Sequence, residues 1–231
     1  MVRGAELSAN SHKEKLVSGL GGAISILIVY AVTRELELEL HGQLLLIASM
    51  GASAVLLFAA PSSPLSQPWN VIGGHSISAF IGVVTVSLVP DPVLGSALAA
   101  GLAITAMYYL GCLHPPGGAS AVIPVLGGIT IANGGLIFPL FPVGLGAVMM
   151  VLVAIAYNFG FKNRRYPHRL AQWLDPGDTG PHKCYDDITH ADFVAALSEI
   201  DTYVDISEDD LLRIYEIASG RAHPAISGGA S

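Results

Sequence analysis

Charge is what this sequence has least of, and the gap has a place. Between Leu40 and Phe161, about half of the 231-residue chain, the only charged residue is Asp91. Charged residues are 13% of the whole, against roughly a quarter in an ordinary soluble domain. So bare a stretch excludes a soluble fold and leaves an integral membrane protein, in keeping with a mean hydropathy of +0.58. Basic residues are also few, 11 Lys and Arg against 18 Asp and Glu, which argues against nucleic acid as a partner. Cysteine is scarcer still. Cys112 lies in apolar sequence and Cys184 in polar sequence, giving neither a disulfide framework nor a metal-ligand spacing. No cofactor is implied.

The charge that is present sits at the ends. Residues 1–15 contain Glu6 and Glu14 and form no apolar h-region, so they read as a polar arm and not as a cleaved signal. Lys162, Arg164, Arg165 and Arg169 then form a basic cluster, and twelve acids against three bases follow from Leu170 onward. The acidity therefore belongs mainly to a tail, residues 162–231, outside the membrane and not to any substrate site. Two amphipathic stretches in it, "THADFVAALSEI" and "SEDDLLRIYEIAS", predict short helices packed on the cytoplasmic face or on another subunit.

Between the ends, six apolar segments stand out: Leu16–Thr33, Gln43–Ala60, Val71–Val89, Val93–Leu113, a shorter Gly117–Ala132 with Pro124 inside it, and Leu136–Phe161. A bilayer core needs about 20 apolar residues per helix. Basic residues flank the first and last segments, which places both termini in the cytoplasm and demands an even number of crossings. Six meets that condition. The expected fold class is all-α, a polytopic membrane helix bundle spanning residues 16–161, with a helical tail.

One pentapeptide occurs twice. "GASAV" fills Gly51–Val55 in the second segment and Gly118–Val122 in the fifth. Segments one to three and four to six thus form two halves with the motif in each middle helix, and equivalent helices run in opposite directions. That is a 3+3 inverted repeat, as in secondary transporters. Pro115 and Pro116 stop one helix, and Gly117 and Gly118 open another whose N-terminal N–H groups are expected to face an anion at membrane depth. The candidate substrate site is expected to be formed by helix N-termini at both copies, with Gly51, Ala52, Ser53, Ala119 and Ser120 adding hydroxyls and close backbone approach. No carboxylate lies inside a span, which disfavours a cation path built on acids and favours a small anion.

Polar residues are rare within the spans, so each is a candidate. His75 and His114 must be paired or face a cavity in lipid, and each could serve as a proton partner. They could equally bond to carbonyls freed by nearby prolines. Asn70 joins the candidate site beside them. Neither histidine has a third ligand at helical spacing, so no metal site is expected. No nucleophile, base and orienting acid occur together, so no catalytic residue is assigned and an enzyme is not expected. A membrane-embedded enzyme using His114 and a non-transporting scaffold remain the alternatives.

The motifs "LHPPGGASAV" and "MGASAVLLFAAPSSPLSQPWNVIGGH" closely resemble the HPP family of integral membrane proteins over roughly residues 15–165. The resemblance implies small-anion transport, since plastid and cyanobacterial members are linked to nitrite. It carries onto Gly51, Ser53, Asn70, His75, His114, Pro115, Pro116, Gly117 and Gly118. The family is usually described with four spans, against the six counted here. Some relatives add paired CBS modules, for which this chain has no matching segment. The expectation is an inner-membrane transporter of a small anion, nitrite first, with the bilayer and a second copy of the chain as partners.

Overall fold

The computed structural model describes residues 12–34, 40–127, 135–161, 164 and 166–167. Six α-helices account for most of them: α1 His12–Thr33, α2 Leu40–Ala59, α3 Pro68–Leu88, α4 Pro92–Tyr109, α5 Pro115–Leu126 and α6 Leu145–Phe159. The described residues contain no strand. The acidic tail lies outside the described residues. Among the described residues five stretches are long and apolar enough to cross a membrane: His12–Thr33, Gly42–Ala59, Pro68–Leu88, Pro92–Tyr109 and Gly135–Phe159. The last is α6 extended backward by a π-helical turn, Pro139–Gly144, and a 3-10 turn, Gly135–Ile137.

Proline sets where helices begin. Pro68, Pro92 and Pro115 each open a helix, Pro115 where a stop was expected. In the first turn proline gives up an N–H that has no intrahelical partner, and its ring presets φ. Asp91 caps α4, its carboxylate accepting from Leu94 N–H at 2.7 Å. The one charged residue of the apolar stretch is thus a helix cap. At the other end of the chain, α1 begins at His12, inside the stretch expected to be a polar arm.

α5 has twelve residues, about 18 Å of helix, short of a bilayer core of about 30 Å. It does not cross as a straight helix, and the residues after it, 128–134, lie outside the described residues. Its direction is nonetheless fixed. Glu14 in α1 pairs with Arg164 just beyond α6, Nη1 to Oε1 2.9 Å, so the two ends of the bundle meet on one face. Trp69 Nε1 donates to Leu110 O at 3.1 Å, putting the start of α3 and the end of α4 on that face as well. α5 therefore leaves from this side and runs toward the start of α6, opposite to α2.

The helix contacts carry the repeat. α1 packs on α2 as α4 packs on α5; α3 packs on α4 as α6 packs on α1; α3 packs on α5 as α6 packs on α2. α2 meets α5 and α3 meets α6, pairs that map onto themselves when the halves are exchanged. Every major helix contact thus has its counterpart, and equivalent helices run in opposite directions, as an inverted repeat requires.

Small residues make the central contact. α3 and α5 approach so closely at Gly74, Gly82 and Gly117 that a methyl group on Gly82 would run into Ala121 O. A Cβ on Gly117 would stand 2.8 Å from Gly74 O. Close backbone approach of this kind replaces the hydrophobic drive that lipid removes. Around it, Leu46, Met50, Leu57 and Phe58 of α2 pack with Val71 and Ala79 of α3 and with Ala147, Met150 and Ala154 of α6. Large apolar residues such as Leu16, Leu27, Val93, Leu102 and Leu152 stay exposed on the outside, where a lipid-facing surface must be apolar.

Candidate functional site

The centre of the bundle is polar. Ser49 and Ser53 stand four residues apart in α2, on one face. Across from them lie His75 of α3, Ser120 of α5 and His114, the N-cap of α5. Their relative exposures are 1% for Ser49 and 0% for the other four. Buried polar groups in lipid must find partners in the protein, and these do so as a single chain. His114 Nδ1–H donates to Leu65 O at 2.8 Å. His114 Nε2 lies 2.8 Å from Ser53 Oγ, and Ser53 Oγ lies 2.7 Å from His75 Nε2. On the far side of the ring, His75 Nδ1 lies 2.7 Å from Ser120 Oγ. Ser120 Oγ lies 3.0 Å from Ser49 Oγ, which donates to Pro116 O at 3.0 Å. The two imidazoles stand edge to face with centroids 5.0 Å apart.

The repeated motif is now legible. Ser53 and Ser120 are the third residues of the two "GASAV" copies, and they hold the same imidazole, that of His75, from opposite sides. This is the crossing point of the two halves, where α2 meets α5. The histidines have no such counterparts: equivalent packing carries an asymmetric chemistry.

Several elements fix the geometry. The 3-10 turn Pro64–Ser66, closed by Ser63 Oγ accepting from Leu65 N–H at 3.3 Å, aims Leu65 O at His114. Ser66 Oγ donates to Ala60 O at 2.8 Å, holding that turn to the end of α2. Asn70 Nδ2 donates to Leu113 O at 3.0 Å, bracing the strand of chain that presents His114. Asn70, expected at the site, thus acts on the neighbouring backbone.

Not every candidate comes together. Ser53, His75, His114 and Ser120 form the chain, Pro116 supplies its terminal carbonyl, and Gly117 permits the α3–α5 approach. Pro115, Ala52 and Ala119 are exposed, and Gly51 and Gly118 are half-buried with room beside them. Gly51 lines an open apolar groove between α1 and α2, with Gly22, Ala54 and Phe58. Ser49 and Leu65 O were missed; Ser49 had a signal, since it precedes Ser53 by one helical turn.

The expectation of bare N–H groups at both copies is corrected. The first copy lies inside α2 and starts no helix. At the second, Pro115 and Pro116 have no N–H, and Gly117 N–H is taken by His114 O at 2.8 Å. The prolines that open α5 remove the donors an anion would use. All four ring nitrogens are engaged within the protein, and among the described residues no three His, Cys, Asp or Glu stand together as a metal site.

A second buried polar group anchors the end of the bundle. Arg164, 2% exposed, pairs with Glu14, donates to Ser18 Oγ at 3.1 Å and also donates to Phe58 O. Burial lowers the pKa of this guanidinium, while Glu14 and Tyr157 oppose the shift. Tyr166 Oη donates to Ser66 O at 2.8 Å, and burial raises the pKa of its phenol. This basic residue thus joins α1 to the end of α2, and is no mere marker of membrane sidedness.

An all-α membrane bundle built as an inverted repeat, with a buried polar centre where its halves cross, defines the class. The family described as "HPP, transmembrane region" matches residues 7–167, and the chain belongs to it. Two transmembrane proteins of Dictyostelium discoideum are each 38% identical over 156 residues, covering 66% of this chain and 48% and 53% of their own lengths. The chain thus spans about half the length of these curated relatives. No solved structure matches.

Proposed function

We propose that this chain moves a small inorganic anion across the membrane, with nitrite the first candidate, through the serine–histidine centre. The observation that carries the reading is the buried chain of two histidines and three serines at the crossing of the inverted halves. A membrane protein places polar groups at such depth at a cost, and they recur where substrates bind. Among the described residues no carboxylate stands beside the centre to repel an anion. Hydroxyl and imidazole N–H groups are donors suited to a small oxyanion. Because the centre is buried, transport requires α2 and α5 to part from α3, first toward one face and then the other. The basic cluster at 162–169 orients both ends toward the cytoplasm, in an inner membrane, and the apolar exterior accommodates a second copy of the chain.

Proteoliposome uptake tests the reading. Nitrite should enter vesicles holding the purified chain and not protein-free vesicles, and nitrate, formate and chloride define selectivity. If none of the four moves, the proposal is wrong. One distance favours an alternative: Ser53 Oγ stands 2.7 Å from His75 Nε2, within the reach of a nucleophile and its base. Against it, the second nitrogen of His75 faces Ser120 and no acid, and no described carboxylate orients either ring. Labelling of Ser53 by a fluorophosphonate, lost in Ser53→Ala, would favour the enzyme.

A further inference from the structure

The hydrogen-bonded chain has a property that follows from counting. It ends in two carbonyl oxygens, Leu65 O and Pro116 O, which only accept. Between these ends lie His114, Ser53, His75, Ser120 and Ser49, linked by six contacts of 2.7–3.0 Å. A neutral imidazole brings one N–H and a serine one O–H. Five neutral members therefore supply five protons for six contacts. One contact must stay empty in the neutral state, and one added proton fills the chain.

Several neutral arrangements differ only in where the empty contact lies, and the one counted from the Leu65 end leaves it at Ser49. His114 Nδ1–H goes to Leu65 O, so its Nε2 accepts from Ser53 O–H. Ser53 Oγ then accepts from His75 Nε2–H, His75 Nδ1 accepts from Ser120, and Ser120 accepts from Ser49. The empty contact falls between Ser49 and Pro116 O. Ser53 also approaches Ser49 O at 3.4 Å, longer than either histidine contact. With one more proton, Ser49 turns to Pro116 O, Ser120 turns to Ser49, and His75 Nδ1 carries a proton toward Ser120. One ring is then an imidazolium, and either ring satisfies all six contacts. The two forms interconvert by a balanced double transfer. The Nε2–H bond of His114 breaks as its proton joins Ser53 Oγ, and the Ser53 O–H bond breaks as that proton joins His75 Nε2. Charge moves between the rings and no electron is exchanged.

Among the described residues no other charge touches the chain: Glu14 and Arg164 pair with each other at the end of α2, and Tyr166 bonds Ser66 O next to Leu65. Asp91, the lone charged residue from Leu40 to Gly127, is the exposed cap of α4. α3 and α5 contain no further titratable side chain, and α2 contains only His41 at its start. α4 ends in the exposed Tyr108 and Tyr109, the linker to α5 contributes the buried Cys112, and α6 has Tyr157 at its far end.

We infer that the centre takes up a single proton from the aqueous phase, shared between His114 and His75 through Ser53, and that this proton travels with the anion. The second half rests on the anion-transport reading. A cationic centre in a carboxylate-free membrane core draws an anion beside it, and a proton and a monovalent anion cross together without net charge. Ser53 is the relay; Ser120 and Ser49 complete the chain on the far side and do not lie between the rings.

The test is nitrogen NMR of the full chain labelled with 15N-histidine, in lipid nanodiscs, over a pH series. The two rings are assigned by their loss in His75→Gln and His114→Gln. In the native chain both rings should change in one step that accounts for a single proton. Ser53→Ala should confine the change to one ring, whereas Ser53→Thr, which keeps the hydroxyl, should retain the shared step. Two independent protonations, two neutral rings throughout, or native behaviour in Ser53→Ala would each overturn the inference. Proteoliposomes separate the two halves. One proton imported per nitrite is expected; nitrite import with no proton overturns the coupling. A shared proton step without any nitrite flux would instead reject the anion reading and leave the shared proton standing.

Discussion

Two adjacent glycines in one motif should behave in opposite ways. In Gly117→Ala the new Cβ would sit 2.8 Å from Gly74 O and 3.0 Å from both Met107 Sδ and Ser78 Oγ. The first of these neighbours is backbone, held where α3 passes His114, and cannot swing aside. Overpacking of this kind costs about 1–3 kcal/mol. Alanine's helix preference over glycine returns at most about 1 kcal/mol. The net loss is up to about 2 kcal/mol, or up to about 8 °C in melting temperature for a chain of this size. In Gly118→Ala the Cβ meets nothing within 4 Å, so only the helix preference acts and the melting temperature holds or rises slightly. Thermal unfolding of the purified variants in one detergent measures both. Gly117→Ala should also depress nitrite uptake, because Pro116 O ends the hydrogen-bonded chain next door. A stable Gly117→Ala beside a destabilised Gly118→Ala would refute the account of how α3 meets α5.

Other perturbations follow the same physics. Arg164→Met removes the ion pair with Glu14 and the bonds to Ser18 Oγ and Phe58 O and should cost about 3–5 kcal/mol, as breaking a buried pair does. Adding Glu14→Gln should recover part of it, and equal losses in the single and double variants would mean that the pair carries none of the effect. Ser78 Oγ is buried with no partner, so Ser78→Ala should hold or raise the melting temperature, by up to about 1–3 kcal/mol of relieved desolvation. A clear loss would show that the hydroxyl has a role in the native state.

The membrane bundle and its halves were legible because lipid imposes strong rules on composition. A stretch with one charge had to span, and basic residues on both flanks required an even count, which the Glu14–Arg164 contact echoes by bringing the bundle's ends to one face. The five repeated letters located the crossing of the halves. What the letters hid was direction. Pro68, Pro92 and Pro115 begin helices as readily as they end them, so segment ends shifted by a few residues toward the N-terminus. The site was half legible. His75, His114 and the motif serines stood out as rare polar residues. That they touch in a line depends on α3 and α5 meeting through Gly74 and Gly117, and glycines that approach read in sequence like glycines that do not. The N-terminal donors expected of α5 failed for a local reason, since the prolines that start the helix carry none. Leu65 O was invisible because a backbone carbonyl leaves no mark on composition, whereas Ser49 carried a mark, its helical turn of spacing from Ser53.

The most direct test of the central claim is nitrite uptake by proteoliposomes carrying His75→Gln, set against the native chain and a protein-free control. His75 is held from both sides by the repeated serines, so the substitution breaks the centre where the halves cross. Uptake should fall at least about tenfold, the loss of about 1.4 kcal/mol, in a variant that still melts cooperatively. A folded His75→Gln that carries nitrite at the native rate would contradict the claim that transport runs through the serine–histidine centre.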